Sequence, residues 1–155
     1  MQNARHIYLS GGMEYAENEG RDWRQTLEQW LTKELGCSVF NPNSESECFF
    51  SKHYPDVDFR SLKETNVVEY AAIVARLVEI DCKEIADRSD LVICYWDDSA
   101  QRGAGTKGEL TIAKHFGKPV YMVTSMRHNE IPGWVLGCTT CIFESFDELK
   151  KFLSI

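Results

Sequence analysis

The feature that most constrains the fold is an apolar run followed by a glycine-bearing turn and a helix-like segment. Leu91–Trp96 is typical of a buried strand, the turn contains Gly103 and Gly105, and the amphipathic pattern after it ends at Gly117. Open α/β sheets place ligands at such strand-to-helix turns. Glycines let a backbone approach a ligand closely, and helix amino-ends favour anionic or hydroxyl groups. We therefore expect a ligand site here, with Glu109 in the first helical turn.

Strands and helices alternate along the rest of the chain. Residues 42–57 are polar, contain two prolines and show no period, so they are predicted to form a loop, which could act as a lid. The alternation predicts one flavodoxin- or Rossmann-like α/β domain over residues 1–155, with a doubly wound, mainly parallel five-stranded sheet covered by helices on both faces. The predicted strands are 6–10, 37–40, 91–96, 118–123 and 141–143, and the predicted helices are 17–35, 61–79, 81–88, 106–116 and 147–153.

Composition restricts the classes of partner. The chain has 155 residues, a formal charge of −7 and 43% hydrophobic residues, which is typical of a globular protein. An acidic chain with no basic block argues against a nucleic-acid polymer or an anionic membrane as partner. The sequence contains no apolar run of about 20 residues and no signal-peptide pattern after Met1, so a cytoplasmic location is expected.

The histidines and cysteines form no strong metal-binding pattern. The four histidines are dispersed, and among the six cysteines only Cys138 and Cys141 have the spacing of a metal or redox pair. One such pair without a second is more often structural. We expect no metal and no cofactor, while a metal or redox role for Cys138 and Cys141 stays open.

Several acidic and hydroxyl side chains meet at one edge of the sheet if the fold is doubly wound. Tyr8 lies on the first strand, Asp81 is predicted to open the short helix before the third strand, and Glu109 follows the glycine turn. Glycosidic chemistry needs a carboxylate at the anomeric carbon and an acid or base near the leaving group. Glu109 and Asp81 suit those roles, but helix-dipole stabilisation, capping and core packing are ordinary alternatives for these three residues.

Three segments in the same order resemble the nucleoside 2-deoxyribosyltransferase superfamily, which includes deoxynucleoside 5′-monophosphate N-glycosidases and CMP hydrolases. They are Ile7–Gly12, Asp81–Ile93 and Gly105–Leu110, the last followed by Ala113 and Gly117–Val120. The resemblance covers most of the chain. It implies an N-glycosidic reaction on a nucleoside or nucleotide.

The resemblance also implies roles for individual residues. Glu109 would be the nucleophile that forms a glycosyl-enzyme, Asp81 would orient or protonate the leaving base, and Tyr8 would position Glu109 or the sugar. Transferases of the family carry an aspartate six residues before the nucleophile, where this chain has Gly103, so Arg102 is a candidate partner for a 5′-phosphate instead. The predicted substrate-binding residues are Ser10, Gly11, Gly12, Asp97, Asp98, Arg102, Gly103, Gly105 and Thr106.

A second resemblance concerns the same segment. Gly103–Glu109 fits the Gly-x-Gly-Thr-x-x-Glu pattern of lonely-guy type phosphoribohydrolases, which also cleave a base from a nucleoside monophosphate. The preceding proline and arginine motifs of those enzymes are absent, so the similarity indicates shared chemistry rather than membership.

The favoured hypothesis is cleavage of the N-glycosidic bond of a nucleoside or (deoxy)nucleoside 5′-monophosphate, with water or another base as acceptor. Trp96 or Trp134 could stack an acceptor base. The alternatives are a non-catalytic nucleotide-binding or sensing module and an NAD-type glycohydrolase. The resemblance further implies a homodimer or larger homo-oligomer, in which residues 125–129 and 132–134 are candidates for completing a neighbour's site.

Overall fold

The computed structural model describes residues 5–155, so the first four residues, on which the signal-peptide prediction partly depends, lie outside the described residues. Its five strands form one parallel sheet in the order β2-β1-β3-β4-β5. This is the flavodoxin-like strand order, and its switch point lies between β1 and β3. The strands are β1 His6–Gly11, β2 Ser38–Phe40, β3 Leu91–Tyr95, β4 Val120–Val123 and β5 Cys141–Phe143.

Helices cover both faces of the sheet. One apolar cluster includes Leu27, Leu31 and Leu149 from α1 and α8, and the other includes Leu110 and Val135 from α6 and α7. The predicted α/β class, parallel sheet and two helical layers are therefore confirmed. Within the described residues, no helix combines the length and the apolar content that a membrane crossing requires. The α-helices are α1 Arg21–Leu35, α2 Pro42–His53, α3 Phe59–Thr65, α4 Val67–Lys83, α5 Asp98–Arg102, α6 Gly105–His115, α7 Gly133–Cys138 and α8 Phe146–Leu153.

The prediction of a loop over residues 42–57 is wrong, because most of this segment is α2. The Asn41 side chain caps the helix by accepting a hydrogen bond from the Asn43 amide, and Pro42 stands in the first turn, where proline is tolerated. The helix has no apolar stripe that a periodicity would reveal. It is held instead by an aromatic cluster in which Phe49 contacts Phe50 and Tyr54. The segment is therefore not an unstructured lid.

The predicted helix over 61–79 is divided at Asn66. The side chain of Asn66 caps α4 by accepting a hydrogen bond from the Glu69 amide. Helix α4 then continues through Asp81 into a π-helical turn at Glu84–Arg88. Asp81 therefore lies near the carboxyl end of a long helix, and the prediction that it opens a short one is wrong.

Candidate active site

Two hydroxyl groups of β1 hold the carboxylate of Glu109. The Tyr8 hydroxyl donates a hydrogen bond of 2.9 Å to Oε1, and the Ser10 hydroxyl donates one to Oε2. Alternate residues of a strand project to the same face of a sheet, so Tyr8 and Ser10 point to the same side. Both carboxylate oxygens of Glu109 are therefore fixed by donors from one strand.

The surrounding elements explain how these groups meet. Helix α6 packs on the sheet through the buried residues Leu110 and Ala113, which brings the neighbouring Glu109 to β1. The Tyr8 ring is wholly buried and stacks on Phe40 of β2, with 5.1 Å between ring centroids. Because α6 begins at Gly105, Glu109 lies in its second turn, and its predicted place in the first turn is wrong.

Glu109 and Asp81 have different electrostatic environments. Burial, reinforced by the negative charge of Glu109, raises the pKa of Asp81 to about 8 against the opposing effects of Tyr8 and Arg24. Burial also raises the pKa of Glu109, but the Ser10 hydrogen bond, the charge of Arg24 and the Tyr8 hydrogen bond favour its ionised form. Two interacting carboxyl groups do not ionise together readily. The Asp81 pKa of about 8 favours the protonated form of Asp81 at neutral pH, while the hydrogen bonds from Ser10 and Tyr8 and the charge of Arg24 work against the rise in the Glu109 pKa.

Two other titratable groups of the site stay neutral. Burial, reinforced by the charges of Glu109 and Asp81, raises the pKa of Tyr8 well above its usual value. Burial and the charge of Glu109 raise the pKa of the Cys94 thiol, which is fully buried on β3. Tyr8 therefore acts as a neutral hydrogen-bond donor, and Cys94 is a protonated thiol rather than a nucleophile.

A buried arginine that sequence reasoning missed organises the turn after β1. Arg24 is 1% exposed. No ion pair within residues 5–155 includes it. The sequence could have indicated this burial, because Arg24 stands three residues before Leu27 in the apolar stripe of α1, where a charged residue is seldom found. Its guanidinium donates to the carbonyl oxygens of Leu9, Gly11, Gly12, Glu19 and Gly20 and to the side-chain oxygen of Asn43.

The predicted substrate-binding glycines fall into two groups. A Cβ atom at Gly12 would stand 2.0 Å from the Ser99 hydroxyl, and one at Gly11 would stand 2.8 Å from the Trp23 ring, so packing within the chain accounts for both. In contrast, nothing lies within 4 Å of a Cβ atom placed at Gly105 or at Gly108, which directly precedes Glu109. The free space therefore lies at the start of α6.

The two acidic residues after β3 differ, because Asp97 has a structural role and Asp98 is exposed. Asp97 caps α5, because its Oδ1 accepts hydrogen bonds from the Ala100 amide at 3.0 Å and from the Ser99 hydroxyl at 2.5 Å. The side chain of Asp98 is 82% exposed and lies 4.0 Å from Arg102. Thr106 is buried in the first turn of α6.

A cationic cluster surrounds an exposed aromatic ring near Gly103. The Arg102 guanidinium lies 5.2 Å from the centroid of the Tyr15 ring, and the Lys63 ammonium lies 5.9 Å from it. A Cβ atom at Gly103 would stand 3.8 Å from Tyr15. Lys63 also pairs with Glu14. Sequence reasoning missed Tyr15 and Lys63, because they come from separate segments that only the fold brings together.

The two tryptophans proposed for base stacking have opposite environments. Trp96 is wholly buried in the apolar core, so it presents no face to a base and that expectation is wrong. Trp134 is 71% exposed and donates a hydrogen bond of 2.9 Å from Nε1 to the Thr111 hydroxyl. Only Trp134 is therefore placed to meet another molecule.

The cysteines and the other metal-type ligands can also be placed. All six cysteines are free thiols, with Cys138 buried and Cys141 half-buried. In the part of the chain that the structure describes, no three His, Cys, Asp or Glu side chains cluster in a way that could hold a metal ion.

The comparisons with known proteins give one structural neighbour of interest. No protein-family model matches the chain, and no curated protein matches it in sequence. The solved structure of the Clostridium botulinum CMP N-glycosidase BcmB matches with a TM-score of 0.55 at 15% identity, over 96% of this chain and 97% of that chain. The two chains share a fold. The likeness extends over nearly the whole parallel α/β architecture that positions Tyr8, Ser10 and Glu109.

Proposed function

We propose that the protein cleaves the N-glycosidic bond of a nucleoside or nucleoside 5′-monophosphate. The observation that carries the proposal is the Glu109 carboxylate, which Tyr8 and Ser10 hold at both oxygens and whose charge helps to raise the pKa of Asp81 to about 8. Glycosidic cleavage needs one ionised and one protonated carboxyl group, and different environments produce that division. The family resemblance and the fold shared with a CMP N-glycosidase support the same substrate class.

The residues suit a two-step reaction. A Glu109 oxygen attacks the anomeric carbon, the bonding electrons of the glycosidic bond pass to the base, and Asp81 donates its proton to the departing base. Water or a second base then attacks the anomeric carbon of the resulting sugar ester, and Glu109 leaves as a carboxylate. The Asp81 carboxylate takes the proton that the acceptor loses, whether the acceptor is water or a base, and returns to its starting state.

Features near Gly103 favour a substrate that carries a 5′-phosphate. Gly103 supplies no carboxylate to bind a 5′-hydroxyl, whereas Arg102 and Lys63 place two cations around Tyr15. The amino end of α6 has no side-chain cap, and Gly105 leaves open space beside it. Helix amino-ends and guanidinium groups both bind phosphate. The sugar phosphate would therefore lie between α6 and the Tyr15 cluster, with Glu109 below the anomeric carbon.

A chromatographic assay tests the proposal. The wild-type protein and Glu109→Gln are incubated with each common nucleoside, deoxynucleoside and 5′-monophosphate and with NAD, in the presence and absence of a second free base. We expect free base and sugar phosphate from a monophosphate with the wild type, and none with the variant. Base exchange would identify a transferase, and cleavage of NAD would redirect the substrate class. Binding without any product would overturn the proposal in favour of a sensing module.

Intact-mass spectrometry tests the covalent step separately. After rapid acid quenching of the wild type during turnover, we expect an added sugar or sugar-phosphate mass on the intact chain and, after proteolytic digestion, on the peptide that contains Glu109. The Glu109→Gln variant is the control, because it keeps the size of the side chain and replaces the nucleophilic carboxylate by a neutral amide. Turnover without this adduct in the wild type, together with residual activity in the variant, would indicate direct attack by water.

A further inference from the structure

A histidine, a serine and a glutamate meet near the amino ends of the strands, at the edge of the sheet opposite to the candidate active site. His6 and Ser38 are the first residues of β1 and β2, and they pair in the parallel register, so their side chains lie on the same face. The His6 Nδ1 atom lies 2.6 Å from the Ser38 hydroxyl oxygen, and Nε2 lies 2.5 Å from Oε1 of Glu84. The four residues of β1 between His6 and Ser10 span about 13 Å. The cluster is therefore separate from the contacts that hold Glu109.

The Glu84 carboxylate is fixed beside the imidazole. Glu84 is 6% exposed and opens the π-helical turn Glu84–Arg88. The amide and the hydroxyl of Ser89 both donate to the Glu84 carbonyl, which closes this turn. The second carboxylate oxygen of Glu84 lies 3.5 Å from the Arg88 guanidinium. Turns of this kind are rare and recur at functional sites. A buried carboxylate also needs partners, so Glu84 stays against His6.

The backbone of His6 is held as well as its ring. The His6 amide donates a hydrogen bond of 2.7 Å to Oδ2 of Asp90, and the His6 carbonyl accepts one of 2.8 Å from the Asp90 amide. The imidazole is therefore fixed by its backbone on one side and by a contact at each ring nitrogen on the other.

These contacts select one tautomer of the neutral imidazole. An ionised carboxylate only accepts hydrogen bonds, so Nε2 carries the proton and donates it to Glu84, and Nδ1 accepts from the Ser38 hydroxyl. A hydroxyl that donates to a base, with the base oriented by a third group, is the arrangement that activates serine in enzymes of unrelated folds. Ser38 is exposed, so a small molecule in solution can reach its hydroxyl.

We propose that Ser38 is an activated nucleophile that takes an acyl group from a small ester, with His6 as its base and Glu84 as a positioning residue. The Ser38 oxygen attacks the ester carbonyl carbon while its proton passes to Nδ1 of His6, and Glu84 stabilises the resulting imidazolium. The bond to the leaving alcohol oxygen then breaks, and that oxygen takes the proton from His6. The products are an acylated Ser38, a free alcohol and a neutral His6.

Labelling with a fluorophosphonate, followed by digestion and mass spectrometry, tests the reactivity of Ser38. The serine oxygen bonds to phosphorus, fluoride leaves and the hydroxyl proton passes to the base. We expect Ser38 to react about 10²-fold faster than the exposed Ser51, or more, which is the range of general-base catalysis. His6→Gln keeps a donor toward Glu84 and is expected to abolish this excess. The matched control is His115→Gln, at an exposed histidine of α6, and is expected to label like the wild type.

Reaction with p-nitrophenyl acetate tests the transfer of an acyl group. We expect release of one p-nitrophenolate per chain in an initial burst and one acetyl group on the peptide that contains Ser38. Ser38→Ala is expected to lack both. Neither reaction involves a nucleotide, so the result is independent of the proposed N-glycosidic cleavage.

Nitrogen-15 NMR of the neutral His6 ring tests the roles of its two nitrogens. We expect the proton on Nε2 in the wild type. Glu84→Gln is expected to lower the labelling rate of Ser38 about 10²-fold or more, because an amide can donate to Nε2 and so favours the other tautomer. Circular dichroism verifies that each variant is folded.

Three results would overturn the proposal. The first is a wild type with the ring proton mainly on Nδ1, because that nitrogen would then donate to Ser38 instead of accepting from it. The second is a wild type in which Ser38 is labelled no faster than Ser51. The third is unchanged labelling of Ser38 in a folded His6→Gln protein. The first two need no variant, so they apply even if a substitution prevents folding.

Discussion

Two glycine-bearing turns meet at the switch point of the sheet, and they differ in what fills them. The turn after β1 is packed by the chain itself, since Ser99 and Trp23 occupy the space beside Gly12 and Gly11 and Arg24 binds their carbonyl oxygens. The space beside Gly105 at the start of α6 is open. A glycine is thus no sign of a ligand by itself. Of the two turns, the one before α6 leaves open space beside its glycine, and Glu109 lies in the second turn of that helix.

Substitutions of Glu109 and Asp97 are expected to separate an effect on catalysis from an effect on stability. Glu109→Gln is expected to lower kcat by about 10³-fold or more, because it removes the nucleophile while keeping the side-chain volume. Asp97→Ala is expected to lower the free energy of unfolding by about 1 kcal/mol through loss of the α5 cap, with kcat within a few-fold of wild type. Steady-state kinetics and urea unfolding measure the two effects. A larger kcat loss in Asp97→Ala would place that carboxylate in the reaction.

The packed turn is expected to resist any added side chain. Gly12→Ala would place a Cβ atom 2.0 Å from the Ser99 hydroxyl and 2.9 Å from the Ala100 amide. We expect a loss of about 1–3 kcal/mol in the free energy of unfolding, typical of overpacking. The control Gly105→Ala enters open space and is expected to stay within about 0.5 kcal/mol of wild type. If urea unfolding shows that both variants lose the same free energy of unfolding, the two turns do not differ in packing.

Arg24 connects the packed turn to the charge of Glu109. Arg24→Met leaves several buried carbonyl groups without a donor, which is expected to cost about 1–3 kcal/mol. It also removes a positive charge that lowers the pKa of Glu109, so the acidic limb of the kcat/KM profile is expected to move to higher pH. Arg24→Lys keeps the charge and is the matched control. An unshifted limb in a folded Arg24→Met protein would show that the arginine acts on stability alone.

The raised pKa of Asp81 predicts how stability and activity depend on pH. Its pKa is about 8 in the folded protein and near 3.8 in an unfolded chain. The folded state therefore binds more protons between these values, so stability is greatest below about pH 4 with respect to this group and falls as the pH rises through about 8. Asp81→Asn is expected to remove this dependence and to add about 1–2 kcal/mol at neutral pH. Activity is expected to fall above about pH 8, where the acid is lost.

Thermal unfolding and kcat/KM across the pH range measure both effects of Asp81. An alkaline loss of activity that persists in a still-active Asp81→Asn protein would assign the acid to another group. A free energy of unfolding with the same pH dependence in both proteins would mean that the Asp81 pKa is not raised.

The smallest expected effect concerns the open helix positions Gly108 and Gly137. Both lie in helices with nothing within 4 Å of an added Cβ atom, so alanine at either is expected to stabilise the helix by about 0.5–1 kcal/mol. Gly108→Ala is also expected to lower kcat/KM roughly tenfold, the effect of one methyl group in a close-fitting site. Gly137→Ala should leave kcat/KM unchanged. Unchanged kcat/KM in both variants would place the substrate away from Gly108.

The sequence by itself determined the class of fold, and it predicted the edge of the sheet at which the candidate site lies. Apolar strands, amphipathic helices and their alternation are local patterns, so they predicted the parallel sheet and its two helical layers. The period of a strand likewise places Tyr8 and Ser10 on one face. Helix α2 was not predicted, because a side-chain cap and an aromatic cluster stabilise it and its sequence shows no apolar stripe.

Only the tertiary structure decided what each polar residue does. The Tyr8 hydroxyl and the Glu109 carboxylate are 101 residues apart in the chain, and no local pattern reports that they meet. The same holds for the burial of Arg24 and the raised pKa of Asp81, which depend on desolvation by distant segments. Asp97 and Glu109 are both acidic residues near a helix start, but their hydrogen-bond partners differ. Asp97 accepts from the amide of Ala100, three residues away, whereas Glu109 accepts from the Tyr8 hydroxyl on the first strand.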